Sequence, residues 1–251
     1  MRSSPPIWLS RASAQLALTR PVQVAAVRAE TRRLWSSGIP VRILDLGCGT
    51  KSPLNFVRYI SPCEYLGIDW KIPPHLEGID ESAPCRLLAA DLSEPGILGR
   101  VTNGKYDAIV LSHVLEHVEN YLGLLADAIQ VLARDGVIYV EYPSPRSLRL
   151  PSRCGTLNFF DDPTHISPPD TLSVVNLLRE HGFRIRYAST RHSPKWLLMS
   201  PIRVGVAVLW RQPISGPVLW DLVGFATQIL AVRSGVRVKH DDSTRINEGR
   251  H

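Results

Sequence analysis

Ten residues, Val41 to Thr50 (Val-Arg-Ile-Leu-Asp-Leu-Gly-Cys-Gly-Thr), constrain this chain more than any other stretch. Val41 to Leu46 is a short apolar run with one embedded carboxylate, Asp45, and it stops at Gly47-Cys48-Gly49. Such a run, bounded by turn residues, predicts a buried strand. Two glycines one residue apart let the backbone bend sharply and approach a ligand with no Cβ in the way, and Cys48 is small enough to sit between them. Ser52 and Pro53 then supply a helix cap and a first helical residue. The prediction is strand, glycine turn, helix. Helix N-termini and turn amides bind polar or charged groups, and in open α/β sheets the ligand crevice lies at the carboxyl ends of the strands.

Two common nucleotide motifs fit the turn poorly. A dinucleotide site needs a third glycine where Ser52 stands, and a P-loop needs a glycine where Thr50 stands. A strand-turn-helix without any ligand also fits, so the residues further along have to decide.

Tyr65 to Asp69 is a second buried run ending in a carboxylate, and Asp69 lies twenty positions after Gly49. An acid there is placed to accept hydrogen bonds from ribose hydroxyls; an ordinary strand-end turn is the plain alternative. Pro73-Pro74 makes the next connection irregular. Leu87 to Asp91 reads as a third strand, again ending in a carboxylate, Tyr106 to Leu111 as a fourth, and Val137 to Tyr142, after the Asp135-Gly136 turn, as a fifth. Helical segments fall between them. The segment after the glycine turn shows Leu54, Val57 and Ile60 on one face with Phe56 alongside, and the one after strand four shows Leu122, Leu125, Ile129 and Leu132. This alternation predicts an α/β fold, a parallel sheet with helices on both faces and right-handed crossovers. Before the first strand, Pro21 to Trp35 reads as a helix packed on the sheet.

Ile43 to Thr50 closely resembles the first motif of class I S-adenosylmethionine-dependent methyltransferases, and Ile109 to Val118 resembles the segment that follows their fourth strand. The resemblance covers about residues 38–190. It implies a Rossmann-like, doubly wound, mostly parallel seven-stranded sheet, with S-adenosyl-L-methionine as cofactor. It assigns Asp45, Gly47, Cys48, Gly49, Asp69 and the adjacent Trp70, Asp91, Leu92 and Ser112 to the cofactor. Asp91 matches the acid that approaches the adenine amino group, Leu92 adds backbone and apolar contact, and Ser112 and His113 line the pocket. His113-Val-Leu-Glu116-His117 resembles the Glu-x-x-Glu-His metal segment of ubiquinone-biosynthesis O-methyltransferases, with His113 in place of the first glutamate; no metal is expected. Glu116 and His117 are expected to orient the loop.

Pro143 to Pro169 is too long for a minimal connection and holds Asn158-Phe-Phe-Asp-Asp-Pro-Thr-His165. Loops of this length in compact domains are usually functional or disordered, and two aromatics, two carboxylates and a histidine argue for function. The segment resembles a subset of bacterial methyltransferases that act on sugars or other small hydroxylated metabolites. His165 is the candidate general base, with Asp162 orienting it, Phe159 and Phe160 excluding water, and His113 the other candidate. Ser167, Pro168 and Asp170 predict a helix start, Leu172, Val175 and Leu178 its buried stripe, and Gly182 its end; Phe183 to Tyr187 predicts a sixth strand.

The formal charge of +6 is unevenly distributed. Residues 1–40 carry six basic and one acidic side chain, residues 41–178 eleven and seventeen, and residues 179–251 twelve and five. The core is acidic and the ends are basic; a basic end can meet nucleic acid, anionic lipid or a phosphorylated substrate, but no Asn-Pro-Pro-Tyr-like base-methylating motif is present, so nucleic acid is not the expected partner. The division expected is 1–37 as tail and helix, 38–190 as the cofactor-binding domain, 191–238 as a basic extension and 239–251 as a disordered tail. Trp196, Trp210 and Trp220 lie among the basic residues of 190–235. They suit peripheral contact with an anionic membrane or a lipid-linked substrate, or else they complete the core. Val204 to Trp210 is expected as a strand and Leu219 to Val232 as a helix. The four cysteines have no zinc or redox spacing, and no secretory or membrane-spanning pattern appears, so the expected compartment is the cytoplasm. The expectation is an O-methyltransferase acting on a small hydroxylated metabolite, sugar or lipid-linked glycan. A non-catalytic methyltransferase-like module and a nucleic-acid methyltransferase are the alternatives; oligomeric state is not legible.

Overall fold

The computed structural model describes residues 21–72, 84–152, 157–192, 201, 204–205, 209, 220 and 223–233. The expectations for residues 1–20, Pro73-Pro74, Trp196, Trp210, most of the Val204 to Trp210 strand and the tail from 239 lie outside them.

Seven strands form one sheet: β1 Val41–Leu46, β2 Cys63–Asp69, β3 Cys85–Ala89, β4 Tyr106–Ser112, β5 Leu132–Pro143, β6 Phe183–Thr190 and β7 Ala226–Arg233, in the order β3-β2-β1-β4-β5-β7-β6. The first five run parallel, and β7 is antiparallel to both of its neighbours. β1 and β4 are almost wholly buried, as strands covered on both faces must be. Adjacent residues of a strand face opposite ways, so each strand feeds two cores. Leu44, Leu46, Ile109 and Leu111 pack against α5 (Tyr121–Val131) and α6 (Thr171–Glu180), while Ile43, Ala108 and Val110 pack against α1 (Val22–Glu30) and α3 (Ser52–Tyr59). Two shorter helices are α2 (Arg32–Ser36) and α4 (Ile97–Val101), and the described residues 201, 204–205, 209, 220 and 223 are helical too. Val24 and Val27 are fully buried, so α1 packs on the sheet as expected.

The differences are informative. Residues 226–233, expected in a helix over 219–232, form β7, which pairs with β5 from Val137↔Val232 to Pro143↔Ala226. The boundary drawn at 190 would therefore cut a central strand from its sheet. A short apolar run carries no decisive period, and the partners waiting on both sides make it a strand. Two helices bury most of their expected stripes but each leaves its first member out. Leu54 and Leu172 are both 64% exposed, and the buried faces are Pro53, Phe56 and Ile60 in one case and Val174, Val175 and Leu178 in the other. The packing on the sheet decides which members are covered. α6 is capped by Asp170, whose carboxylate accepts from Ser173 N at 2.8 Å, rather than by Ser167. Leu132 belongs to β5, where the register jumps from Tyr106↔Leu132 to Ala108↔Val137, so residues 133–136 bulge.

Candidate active site

The carboxyl ends of β1, β2 and β4 open onto a cavity of about 440 Å³, within the range of small-molecule sites. At its first end the glycine turn is built as the spacing implied. Gly47 has φ +69° and Gly49 φ +54°, a region that a side chain disfavours. A Cβ on Gly47 would also lie 2.3 Å from Val114 Cγ2, so this glycine lets the first turn and the turn after β4 touch. Gly49 N donates to Asp69 Oδ2 at 2.9 Å. Asp69 Oδ1 has no hydrogen-bond partner among the described residues and stays available at the cavity wall, as a ribose-binding acid requires. Asp91 lies beyond the end of β3, on the loop, where Ser93 N and Oγ donate to its Oδ1 at 2.8 and 2.6 Å and hold its carboxyl below the usual range. Trp70, 82% exposed, and Leu92, 9% exposed, complete this end.

Asp45 is turned inward. It is 1% exposed, and its Oδ2 accepts from Tyr65 Oη at 2.6 Å and from Ser52 Oγ. Burial pushes its pKa up to about 6, against the pull of those two donors. It braces the turn against β2 and α3. Cys48 is buried too, and desolvation raises its thiol pKa, so it is no nucleophile at neutral pH.

The second end is made by the turn after β4. His113 adopts φ +58°, the one positive φ outside glycine among the described residues. Strain of this kind persists only where surrounding contacts impose it. Here His113 N donates to Glu141 O at 2.8 Å, its Nδ1 lies 3.0 Å from Glu116 Oε1, and its Nε2 lies 3.3 Å from Glu141 Oε1. Trp220 covers the ring at 5.1 Å and itself stacks on Phe225 at 4.5 Å. Burial works against charging His113, but the two carboxylates outweigh it and raise its pKa to about 9. Burial likewise opposes the Glu141 charge, yet His113 and Arg191 bring its pKa down to about 2. With Glu116 and Glu141 both close to its ring nitrogens, His113 is favoured in its charged form, which disfavours it as a general base.

Residues 157–166 close the far wall. Asn158 and Asp161 form a reciprocal cap: Asn158 Oδ1 accepts from Phe160 N at 2.9 Å, and Asp161 Oδ2 from Leu157 N and Asn158 N at 3.0 and 2.9 Å. Phe159 is fully buried while Phe160 is 72% exposed, so only the first can exclude water. Ile166 N donates to Glu116 O at 2.8 Å, tying the loop to the turn after β4. His165 is 9% exposed at its side chain and stands beside His117, with the two ring centroids 4.8 Å apart. Asp162 is 3.9 Å from His165 Nε2 and is itself held by Thr164.

Of the residues expected in the site, Gly47, Asp69, Trp70, Asp91, Leu92 and His113 line the cavity. Asp45, Cys48, Gly49, Ser112, Asp162 and His165 are not among the residues that line it. Ser93, Val114, His117, Val118 and Thr164 line it without having been expected there. A sequence signal existed for His117 alone, in the His-x-x-Glu-His spacing. That spacing does not form a ligand set, because His113 is turned onto carboxylates. A second cavity of about 360 Å³ lies near the opposite strand ends, between Arg42, Glu64 and Tyr106, away from the glycine turn.

No curated protein matches the chain. Solved structures share the fold. An S-adenosylmethionine-dependent methyltransferase from Archaeoglobus fulgidus is 19% identical, with 90% of this chain and 99% of that one covered and a TM-score of 0.52. One from Mesorhizobium loti is 18% identical, covering 83% and 96%, with a TM-score of 0.57. The plantazolicin methyltransferase BpumL, solved with a triazolic substrate analog and S-adenosylhomocysteine, is 14% identical, covering 90% of each chain, with a TM-score of 0.56. At these identities the likeness concerns the fold alone; the family rests on residues 11–188, which match the model described as a methyltransferase domain, and the chain belongs to that family as a class I S-adenosylmethionine-dependent methyltransferase.

Proposed function

We propose that the protein methylates a hydroxyl of a small acceptor, a metabolite, sugar or lipid-linked glycan, seated against His117 and Thr164. One observation carries this reading: the cavity is continuous from Asp69 and Asp91 to His117 and Thr164, so donor and acceptor can share it. S-adenosylmethionine supplies an already activated methyl group. The protein's part is then to bind, orient and exclude water. Asp69 and Asp91 hold the nucleoside half, and buried Phe159 and Val118 keep the wall dry.

An alcohol acceptor must also lose its proton. His113, with carboxylates at both ring nitrogens, is poorly placed to take it. His117 Nδ1 lies 3.1 Å from Thr164 O and His165 Nδ1 lies 2.6 Å from Phe159 O. Carbonyl oxygens only accept, so both Nδ1 atoms carry hydrogen, and in the neutral form of each ring the lone pair is on Nε2. His117 lines the cavity and His165 does not. General-base help is typically worth about 10²–10⁴ in rate, so His117→Ala, which removes the imidazole that lines the cavity, should lower turnover at least a hundredfold with S-adenosylhomocysteine affinity nearly unchanged, and His165→Ala should do so only if His165 reaches the acceptor. Labelled-methyl transfer to extract fractions, with calorimetry on the same samples, measures both. Cofactor binding with no transfer to any fraction would leave a non-catalytic module. Full activity in both His165→Ala and His117→Ala would remove the O-methylation reading.

A further inference from the structure

The strongest unexplained feature of the molecule is a buried carboxylate. Glu116 is 0% exposed, and its Oε2 finds no hydrogen-bond partner among the described residues. Buried polar atoms are nearly always paired, and each exception needs a cause. Its Oε1 receives His113 Nδ1. The other oxygen is left buried and without a partner, on a side chain that neighbours two imidazoles. Glu116, His117 and His165 each bring one donor atom within 4.8 Å of the others, and His165 Nε2 is 4.0 Å from Glu116 Oε1.

Both rings are already set as ligands. A metal-bound histidine typically donates its other ring N–H to a carbonyl or carboxylate, which fixes tautomer and orientation. His117 does this toward Thr164 O and His165 toward Phe159 O, and the fold brings the two histidines together across 48 residues of sequence. The Phe159 contact is itself held by the Asn158–Asp161 cap, and the Ile166 amide ties the loop to Glu116 O. The loop and the turn after β4 are therefore fastened to each other around the cluster.

We infer that Glu116 Oε2, His117 Nε2 and His165 Nε2 form a binding site for a divalent transition-metal ion. Two imidazoles and one carboxylate are borderline donors suited to Zn²⁺, Co²⁺ or Mn²⁺; Mg²⁺ prefers an all-oxygen shell. Ligand atoms of a tetrahedral site with bonds of about 2.0–2.1 Å stand about 3.4 Å apart. The cluster is about an ångström wider, an adjustment on the scale of a side-chain torsion. Three protein ligands leave a coordination position open, as in catalytic rather than structural sites, and His117 stands in the cavity wall where that position can face an acceptor. Ion binding itself does not depend on the O-methylation reading; the role that follows does. With the ion in place the two imidazoles serve as ligands rather than bases. A coordinated acceptor hydroxyl releases its proton to water more readily, and its oxygen then takes the methyl group as the carbon–sulfur bond breaks and a neutral thioether leaves.

Full-length, chelator-treated protein titrated with Co²⁺ and Zn²⁺ tests the site directly. The expected result is one saturable equivalent, visible Co²⁺ absorption bands displaced by Zn²⁺, no displacement by millimolar Mg²⁺, and a raised melting temperature on binding. His165→Gln and Glu116→Gln, each shown folded by circular dichroism, should weaken Co²⁺ binding about tenfold or more; His165→Gln is the arm to rely on if the buried Glu116 variant does not fold. Absence of saturable binding by the parent, unchanged binding in folded His165→Gln, or displacement by Mg²⁺ as effective as by Zn²⁺ would overturn the inference. S-adenosylhomocysteine calorimetry on the same samples separates the two claims. Cofactor binding without metal binding refutes the metal site and leaves methyl transfer standing. Metal binding without methyl transfer refutes the O-methylation reading alone.

Discussion

The two ends of the cavity are built by opposite strategies. The cofactor end comes from consecutive strand-turn units within residues 41–93, and its hydrogen bonds are short in sequence or run between adjacent strands. Gly49 reaches Asp69 on the neighbouring strand, and Ser93 reaches Asp91 two residues back. The acceptor end is assembled from the turn after β4, the end of β5, the loop 157–166 and Trp220 with Phe225 just before β7. Its contacts join His113 to Glu141, His117 to Thr164 and His113 to Trp220. The first end is a local solution that recurs wherever a parallel sheet meets a nucleoside. The second depends on the whole fold, so its chemistry can change while the first stays as it is.

The sharpest break of this contrast is Phe159→Ala. Phe159 is fully buried between the cap and the ring of His165, at 4.6 Å, and large-to-small changes of this kind cost about 3–5 kcal/mol. Chemical denaturation should show that loss. If the ends are as separate as their construction implies, folded Phe159→Ala should still bind S-adenosylhomocysteine while losing transfer activity; parallel loss of cofactor affinity would show them to be one unit.

The next effect is a pH dependence confined to the acceptor end. In metal-free protein, His113 titrates near 9 against an ordinary 6.5, so its contribution is complete below 6.5 and disappears as pH rises to 9. Glu141 titrates near 2 against 4.5, so its contribution is complete above 4.5 and disappears as pH falls to 2. Stability from this pair should plateau between about pH 4.5 and 6.5, and, counting the pair once, thermal melts should register a loss on the order of 2–3 kcal/mol by pH 9. A flat profile from pH 6.5 to 9 would contradict the charged assignment of His113.

The smallest effect belongs to the cofactor end. Asp69→Ala removes a charged acceptor, worth roughly 1.5–3 kcal/mol, so S-adenosylhomocysteine affinity should fall about tenfold or more. Calorimetry on the folded variant decides, and unchanged affinity would detach Asp69 from the ribose.

What the sequence by itself determined was the parallel strand-turn-helix frame, the glycine turn and the carboxylates at the strand ends. Each of these follows from short-range rules: apolar runs bounded by breakers, glycine where φ must be positive, an acid at a set distance from the turn. Asp45 shows where such rules stop. Its type and position were legible, but that it braces Ser52 and Tyr65 instead of facing the cavity is set by neighbours the motif does not contain. Only tertiary structure decided that residues 226–233 are a strand, because antiparallel partners on both sides outweigh an ambiguous apolar run. The same holds for Leu54 in α3 and Leu172 in α6, apolar residues that the packing on the sheet leaves exposed while their expected neighbours are buried or partly buried. The titration of His113 and the free Nε2 atoms of His117 and His165 belong there too. Burial, carboxylate proximity and tautomer arise where distant segments meet, and a pattern read along the chain carries no information about which distant carbonyl a given imidazole will find.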